Sequence, residues 1–167
     1  MKVLFLDVDG VLNCKTTKAR CEGFIGIDRA KVRLLKQIID ETNVKIVLSS
    51  TWRLGYVKSY HGYEEMQHSK KYLEQRLNEA GLSVYDVTPD LGRSGLMRAE
   101  EVKQWIDNCK EQITNIAILD DEDFYWYKNG LHYYWVKTSW EGNGLTEDHV
   151  KEAIMVLGEK YDHRITS

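Results

Sequence analysis

The chain has 167 residues, of which 43% are hydrophobic and 29% are charged, and its formal net charge is −3. This balance is typical of one globular domain over residues 1–167 and excludes a disordered or fibrous chain. It also excludes a protein that binds nucleic acid through a general excess of basic charge, so any such contact must be local. The sequence contains no apolar run of about 20 residues, so we predict no membrane span and a cytoplasmic location.

The first half of the chain alternates predicted strands and helices. Val3 to Leu6 is a short apolar run that predicts a strand, and residues 10–27 are polar and aperiodic, as in a loop or small hairpin. A helix is predicted from Asp28, a good N-cap, to Asn43, because apolar residues recur there at helical spacing. Val44 to Leu48 is β-branched and predicts a strand. The stretch from about Tyr63 to Ala80 predicts a second helix.

The second half continues the alternation. Strands are predicted at Leu82 to Val87, at Ile116 to Leu119 and at Leu131 to Val136. Helices are predicted from Arg98 to Cys109 and from the N-cap Thr146 through Leu157. Strands that alternate with helices predict an α/β fold with a Rossmann-like, mainly parallel sheet and helices on both faces.

Acidic side chains follow two of the apolar strands. Asp7 and Asp9 flank one residue, so in extended backbone they share a face, and Asp120 and Asp121 end another strand. The carboxyl ends of parallel strands meet at one edge, and four carboxylates there suit Mg²⁺. Solvated turn acids are the alternative, which two clusters at strand ends argue against. Asp7 can act as a nucleophile towards phosphorus, and Asp9 can give and take the proton.

A phosphoryl group also needs a hydroxyl and a fixed cation beside it. Counting from the apolar strand favours Ser49 as the hydroxyl, whereas counting back from the following tryptophan favours Ser50. Arg98, at the start of a predicted helix, is the preferred cation, and Arg93 and Lys103 are its competitors.

Three segments resemble motifs of the haloacid dehalogenase (HAD) superfamily, in the right order. Asp7 to Leu12 matches the first motif, DxDx followed by Thr or Val; Ile46 to Ser50 resembles the second, and Ile118 to Asp121 the fourth. Arg98 stands where the third motif usually carries a lysine. The chain is also similar to the HAD domains of Swiss-army-knife RNA repair proteins. That similarity lies in the stretches Leu6 to Asn13, Ser49 to Arg53, Arg98 to Ile106, Ile118 to Asp121 and Gly144 to Glu147.

The resemblance implies a magnesium-dependent phosphomonoester hydrolase that forms a phosphoryl-aspartate. Asp7 would be the nucleophile and a metal ligand, and Asp9 would be the acid/base, with its backbone carbonyl on the metal. Asp121 would be the more direct ligand of the acid pair, with Asp120 supporting it. A phosphotransferase, a small-metabolite phosphatase of the same superfamily and a non-catalytic HAD-like binding module are the alternatives.

The spacing of the motifs leaves no room for a large cap domain, which predicts an open site. An open site admits a large phosphorylated substrate, and a nucleic-acid end or a nucleotide is the preferred class. Trp52 and Arg53 follow the second motif and are predicted to touch substrate, although Arg53 also suits a structural ion pair. The aromatic residues in 124–127 and 132–135 suit either base stacking or packing in the core. The sequence does not predict the oligomeric state.

Overall fold

The computed structural model describes residues 1–92 and 97–162. Its strands are β1 (Lys2–Leu6), β2 (Arg20–Cys21), β3 (Phe24–Ile25), β4 (Lys45–Leu48), β5 (Asp86–Val87), β6 (Asn115–Asp120) and β7 (Trp135–Lys137). Its α-helices are α1 (Arg29–Thr42), α2 (Gln67–Asn78), α3 (Arg98–Asn108) and α4 (Glu147–Gly158). Two short 3₁₀ helices span Thr51–Tyr56 and His132–Tyr134. The alternation of strands and helices confirms the predicted α/β class.

Five strands form one parallel sheet in the order β5-β4-β1-β6-β7. β1 lies at the centre, where Leu6 is opposite Leu48 of β4 on one side and Leu119 of β6 on the other. The chain builds from β1 to one edge of the sheet and then resumes on the other side, so the strand order reverses beside β1. Ligand sites in such sheets lie at the carboxyl ends of the strands at this reversal.

Successive residues of the central strands point to opposite faces of the sheet, and each face has its own buried core. Leu4 and Leu6 belong to the core that α1, α2 and α4 cover. Val3 and Phe5 belong to the other core, where the ring of Phe5 packs edge-on against Trp105 of α3 at 5.5 Å. This confirms that helices cover both faces, and it explains why β1 is apolar at every position after Lys2.

Three elements differ in extent from their predictions. The strand predicted from Leu82 shrinks to β5, and the one predicted from Leu131 divides into a 3₁₀ helix and β7. Both lie at an edge of the sheet, where a strand has a hydrogen-bonding partner on one side only. α2 begins at Gln67 and not near Tyr63, because tight turns with bonds such as Met66 N to Gly62 O occupy the preceding residues.

No inserted domain covers the sheet within the described residues. After β1 the chain forms the two-residue strands β2 and β3, which pair as a small hairpin, and then α1. Between β4 and α3 it forms a 3₁₀ helix, α2 and β5. The fold is therefore Rossmann-like, without a large cap in the part of the chain that the structure describes. None of the helices in the described ranges combines the length and apolar character that a membrane crossing requires.

Gly144 closes the loop before α4 in a left-handed conformation, with φ of +58°. A Cβ there would lie 2.7 Å from the carbonyl oxygen of Asn13, so we expect Gly144→Ala to destabilise the fold by about 1–3 kcal/mol. Gly158→Ala is the matched control, since a Cβ at this helical position meets nothing within 4 Å. Chemical denaturation measures both changes. Equal stability of the two variants would contradict the strain argument.

Candidate active site

Three carboxylates converge where the strand order reverses. One oxygen from each of Asp7, Asp120 and Asp121 lies within 4.8 Å of the others. Asp7 continues β1 alongside β6, because its backbone N–H donates to the carbonyl of Leu119 at 2.9 Å. Asp7 and Asp120 are buried, and Asp121 is half-buried. The sheet therefore brings the first and fourth predicted motifs into one cluster, here called the carboxylate cluster.

Arg98 supplies the positive charge of this cluster. Its Nη1 lies 2.7 Å from Asp120 Oδ2 and 3.1 Å from Asp7 Oδ2, and its side chain is buried. The guanidinium also lies 4.3 Å from the centre of the Phe124 ring. Lys103 stands five residues further along α3, about 140° around the helix axis. Arg93 lies outside the described residues. The geometry thus favours Arg98 over Lys103.

Burial removes water from the charged side chains of the cluster and so disfavours their ionised forms. It raises the pKa of Asp7 even though Arg98 and a hydrogen bond from Ser50 oppose the change. Burial and the charge of Asp7 raise the pKa of Asp120 well above its usual range and that of Asp121 to about 6. Burial works against the charge of Arg98, but Asp7 and Asp120 outweigh it and raise the pKa of Arg98. When all three carboxylates are ionised, they and the one guanidinium carry a net charge of −2, which one divalent cation would balance.

The donor set fits a magnesium ion, because carboxylate oxygens are its preferred protein ligands. Asp120 has both oxygens engaged by the protein, one by Arg98 and one by the backbone N–H of Glu122 at 3.0 Å. Asp121 packs directly over Gly10, where an added Cβ would lie 2.2 Å from the Asp121 carboxyl carbon. Gly10, with φ of +79°, is therefore required for the carboxylate to reach the cluster. This geometry favours Asp121 as a direct metal ligand and Asp120 as its support.

The side chain of Asp9 is held by two hydrogen-bond donors that do not belong to the carboxylate cluster. The indole Nε1 of Trp52 donates to Asp9 Oδ2 at 2.9 Å, and the side-chain amide of Asn13 donates to Asp9 Oδ1 at 2.7 Å. Asn13 is itself oriented by the backbone N–H of Gly10, which donates to its Oδ1 at 3.0 Å. Each carboxylate oxygen of Asp9 is thus fixed by a hydrogen bond from one of these side chains. Trp52, predicted to touch substrate, is 8% exposed and contacts Asp9.

The two candidate serines have different surroundings. Ser50 caps the 3₁₀ helix that follows β4, accepting from the N–H of Trp52 at 3.3 Å, and its hydroxyl also hydrogen-bonds to Asp7. Ser49 extends the sheet, since its N–H donates to the carbonyl of Leu6 at 3.0 Å. Its hydroxyl is buried and has no hydrogen-bond partner within the described residues. Ser50 is therefore the hydroxyl in contact with the nucleophile candidate, and the buried hydroxyl of the preceding Ser49 is unused.

Arg53 is buried, with 1% of its side chain exposed, and its Nη2 lies 2.6 Å from Glu101 Oε2. Its Nη1 donates to the carbonyl oxygens of Ser50 at 3.0 Å and Ser49 at 3.3 Å. Glu101 belongs to α3, one turn after Arg98, and also accepts from the N–H of Leu91. The ion pair ties the serine segment to the helix that carries Arg98. The structure thus favours the structural alternative for Arg53 over contact with substrate.

Sequence reasoning missed Asn13 and Glu101. Asn13 follows Asp9 by four residues in an irregular loop, where no periodicity predicts that their side chains meet. Glu101 lies beside the buried residues Val102 and Trp105 on α3. Its position on this apolar helix face could have been recognised in the sequence, and a buried acid needs a cationic partner. Arg53 is that partner.

Comparison with known proteins agrees with this geometry. A family model described as the HAD domain in Swiss Army Knife RNA repair proteins matches residues 3–150. The parallel sheet with acids at its central strand ends defines the class, and the chain is a HAD-like domain. Within that class it belongs to the family of HAD domains found in Swiss Army Knife RNA repair proteins. This membership supports a hydrolase or phosphatase activity in general. No curated protein and no solved structure matches the chain.

Because the pKa of Asp121 is raised, the metal site can be tested through the pH dependence of stability. Its folded-state pKa of about 6 exceeds the ordinary 3.8, so above pH 6 the ionised carboxylate opposes folding when no metal is bound. At pH 7.5 without metal, Asp121→Asn should therefore raise the melting temperature by at least about 2 °C. This gain should shrink as the pH falls from 6 to 4. Mg²⁺ should raise the melting temperature of the wild type and not that of the variant.

Differential scanning fluorimetry measures these shifts, and Asp107→Asn, an exposed acid of α3, is the matched control. An equal Mg²⁺-induced shift in Asp121→Asn and in the wild type would exclude Asp121 as a ligand.

Proposed function

We propose that the protein is a magnesium-dependent phosphomonoester hydrolase that forms a phosphoryl-aspartate on Asp7. The observation that carries the proposal is the burial of Asp7 in the carboxylate cluster, with the Arg98 guanidinium 3.1 Å away. A carboxylate in this position is oriented by one cation and still has an unshared electron pair for attack. Membership of the HAD family supports the proposal, because it indicates a hydrolase or phosphatase in general.

In the first step, an Asp7 carboxylate oxygen attacks phosphorus, and the bond from phosphorus to the ester oxygen breaks. The leaving oxygen takes the proton of the Asp9 carboxylic acid and departs as an alcohol. Arg98 neutralises charge on the phosphoryl oxygens, and the unused hydroxyl of Ser49 or that of Ser50 donates to one of them.

In the second step, the Asp9 carboxylate removes a proton from a water molecule, whose oxygen attacks the phosphorus of the phosphoryl-aspartate. The bond from phosphorus to the Asp7 oxygen breaks, which releases inorganic phosphate and restores the Asp7 carboxylate. Asp9 is then protonated again for the next turnover. Trp52 and Asn13 keep the Asp9 carboxyl in one orientation through both steps.

Magnesium would be held by Asp7 and Asp121, supported by Asp120, with the backbone carbonyl of Asp9 as a further ligand. When bound, it neutralises charge on the phosphoryl group and its oxygens. The chain itself keeps these acids close together, and a bound cation would relieve the electrostatic repulsion among them.

The proposed substrate is a phosphorylated nucleic-acid end or a nucleotide. The described residues hold no domain that would enclose a small ester, so binding energy must come from a substrate that extends across the surface. The family's description, as domains of RNA repair proteins, points to the same class. A cytoplasmic location is proposed as well, since Cys14, Cys21 and Cys109 are all free.

Asp7→Asn tests the covalent mechanism, because an amide cannot attack phosphorus as the carboxylate does. We expect hydrolysis to disappear while the far-ultraviolet circular dichroism spectrum stays unchanged. The assay should screen phosphorylated metabolites beside 3′- and 5′-phosphorylated oligonucleotides, with Mg²⁺ and with excess chelator. Asp40→Asn is the control, an exposed acid paired with Lys36 on α1. Substantial turnover by Asp7→Asn, or full activity in chelator, would refute the mechanism.

The role of Asp9 is tested by the leaving group. Asp9→Asn should lower kcat by about 10²–10⁴-fold for alkyl phosphates, whose leaving oxygen needs a proton, and by much less for activated aryl phosphates. Trp52→Phe keeps the ring but removes the N–H donor to Asp9, and it should reproduce this selectivity at roughly tenfold. Equal losses for both kinds of ester would show that Asp9 and Trp52 act through structure alone.

A further inference from the structure

Exposed tyrosines are concentrated in the segment that follows the carboxylate cluster. Among the described residues, the exposed large hydrophobic side chains are Phe24, Tyr85, Leu91, Tyr125, Tyr127, Tyr133 and Met155. Three of these seven lie within nine consecutive positions, a short distance after Asp121. Tyr125 is 56% exposed, Tyr127 76% and Tyr133 65%. Single exposed apolar residues need no explanation, but such a concentration marks an interaction site.

Buried neighbours hold these rings at the surface. Trp126, fully buried, donates from Nε1 to the carbonyl of Glu122 at 3.0 Å and packs 6.3 Å from the ring of Trp135. Tyr125 has a φ of +61°, an unfavourable conformation for a bulky residue, which persists only where the surroundings impose it. The side-chain amide of Asn129 donates to the carbonyl of Tyr125 at 3.2 Å and helps to fix it. The exposure is thus built into the segment.

Three of the rings in this segment contact one another in a row, and a lysine lies over a fourth ring. The ring of His132 lies 4.7 Å from that of Tyr127 and 3.7 Å from that of Tyr133, centre to centre. The ammonium of Lys128 lies 4.7 Å from the centre of the Tyr125 ring. These five residues are here called the tyrosine surface. It offers flat faces, hydroxyl groups and one positive charge, a combination suited to stacked bases and a phosphate backbone.

The segment that carries the tyrosine surface also contacts the proposed phosphoryl site. Phe124, which precedes Tyr125, lies against the Arg98 guanidinium that contacts Asp7. On the other side, Trp135 follows the 3₁₀ helix that carries Tyr133, and it pairs with Ile118, two residues before Asp120. With a rise of about 3.3 Å per residue, this places Trp135 roughly 7 Å from the level of Asp120. Tyr133 lies two residues before Trp135 in the parallel strand direction, so it is further from that level by about 4–7 Å, and a strand whose end is at Asp7 would need a few nucleotides to reach it.

The size of the tyrosine surface favours nucleic acid over a protein partner. Aromatic side chains expose at most about 150–250 Å² each, so these three present roughly 400 Å² together. A stable protein interface buries about 800 Å² on each partner, which is about twice as much. A few stacked bases need no more area than the tyrosines offer. The exposed acids Glu122 and Asp123 lie in the same segment, so the contact is weak and relies on stacking more than on charge.

We propose that the tyrosine surface binds the unreacted bases of a single-stranded nucleic acid whose phosphorylated end lies at Asp7. The inference rests on the proposed function for the position of that end. Its binding part is independent of catalysis, because rings that stack on bases also hold a strand that carries no phosphoryl group.

The test is the binding of a fluorescent, unphosphorylated single-stranded oligonucleotide of about eight nucleotides, measured by anisotropy. Tyr127→Ala and Tyr133→Ala should each raise Kd roughly fivefold or more, whereas Tyr127→Phe should bind like the wild type because it keeps the ring. The same alanine variants should hydrolyse a small aryl phosphate at the wild-type rate. Tyr85→Ala is the matched control, an exposed tyrosine beyond the opposite edge strand whose hydroxyl bonds to Glu111.

The outcomes separate the two proposals. If the protein binds the oligonucleotide through these rings but hydrolyses no phosphate ester, the proposed function fails and the tyrosine surface stands. If phosphate esters are hydrolysed but the alanine variants bind the oligonucleotide like the wild type, or lose no more affinity than Tyr85→Ala, the tyrosine surface is refuted. Equal loss in Tyr127→Phe and Tyr127→Ala also refutes stacking. A duplex bound as tightly as the single strand refutes it as well, since paired bases hide their faces.

Discussion

The repulsion among Asp7, Asp120 and Asp121 is the constraint on which the rest of the structure depends. The sheet places these acids in one partly dry corner, where their pKa values rise and one guanidinium compensates for only part of the charge. Such a corner is unfavourable for stability, and a protein retains it where the strain serves chemistry. The apolar packing of β1 on both faces supplies the stability that this corner lacks.

Around this corner, side chains from distant segments fix the reactive groups in place. The pair of Arg53 and Glu101 connects the end of β4 to α3 and so fixes the serine segment relative to the helix that carries Arg98. Trp52 and Asn13 perform the same task for the Asp9 carboxyl. Because these contacts are buried or half-buried, water competes with them only weakly, and the side chains of the candidate site are held in place without a ligand.

The fold class and the acids of the candidate site can be identified from the sequence because both follow from short local patterns. Apolar runs that end in carboxylates indicate the central strands and the sheet edge where the acids meet, and the resemblance to the HAD superfamily gives those acids their order. What the sequence does not predict depends on tertiary contacts. The shortness of β5 and β7 follows from their edge positions, and the contact between Asn13 and Asp9 from the path of a loop. Which aromatic residues are buried depends on how residues 124–135 cross the sheet edge.

The central position of β1 has a consequence for the making of the protein. β1 precedes both of its neighbours in the chain, yet Leu6 needs Leu48 on one side and Leu119 on the other. During synthesis the strand that leads to Asp7 must therefore wait, unpaired on one side, until β6 has left the ribosome. Contacts so far apart in sequence form slowly. A nascent chain that stops before Asp120 lacks two of the three clustered acids, so the acidic corner is complete only once residue 121 of the 167 has been made.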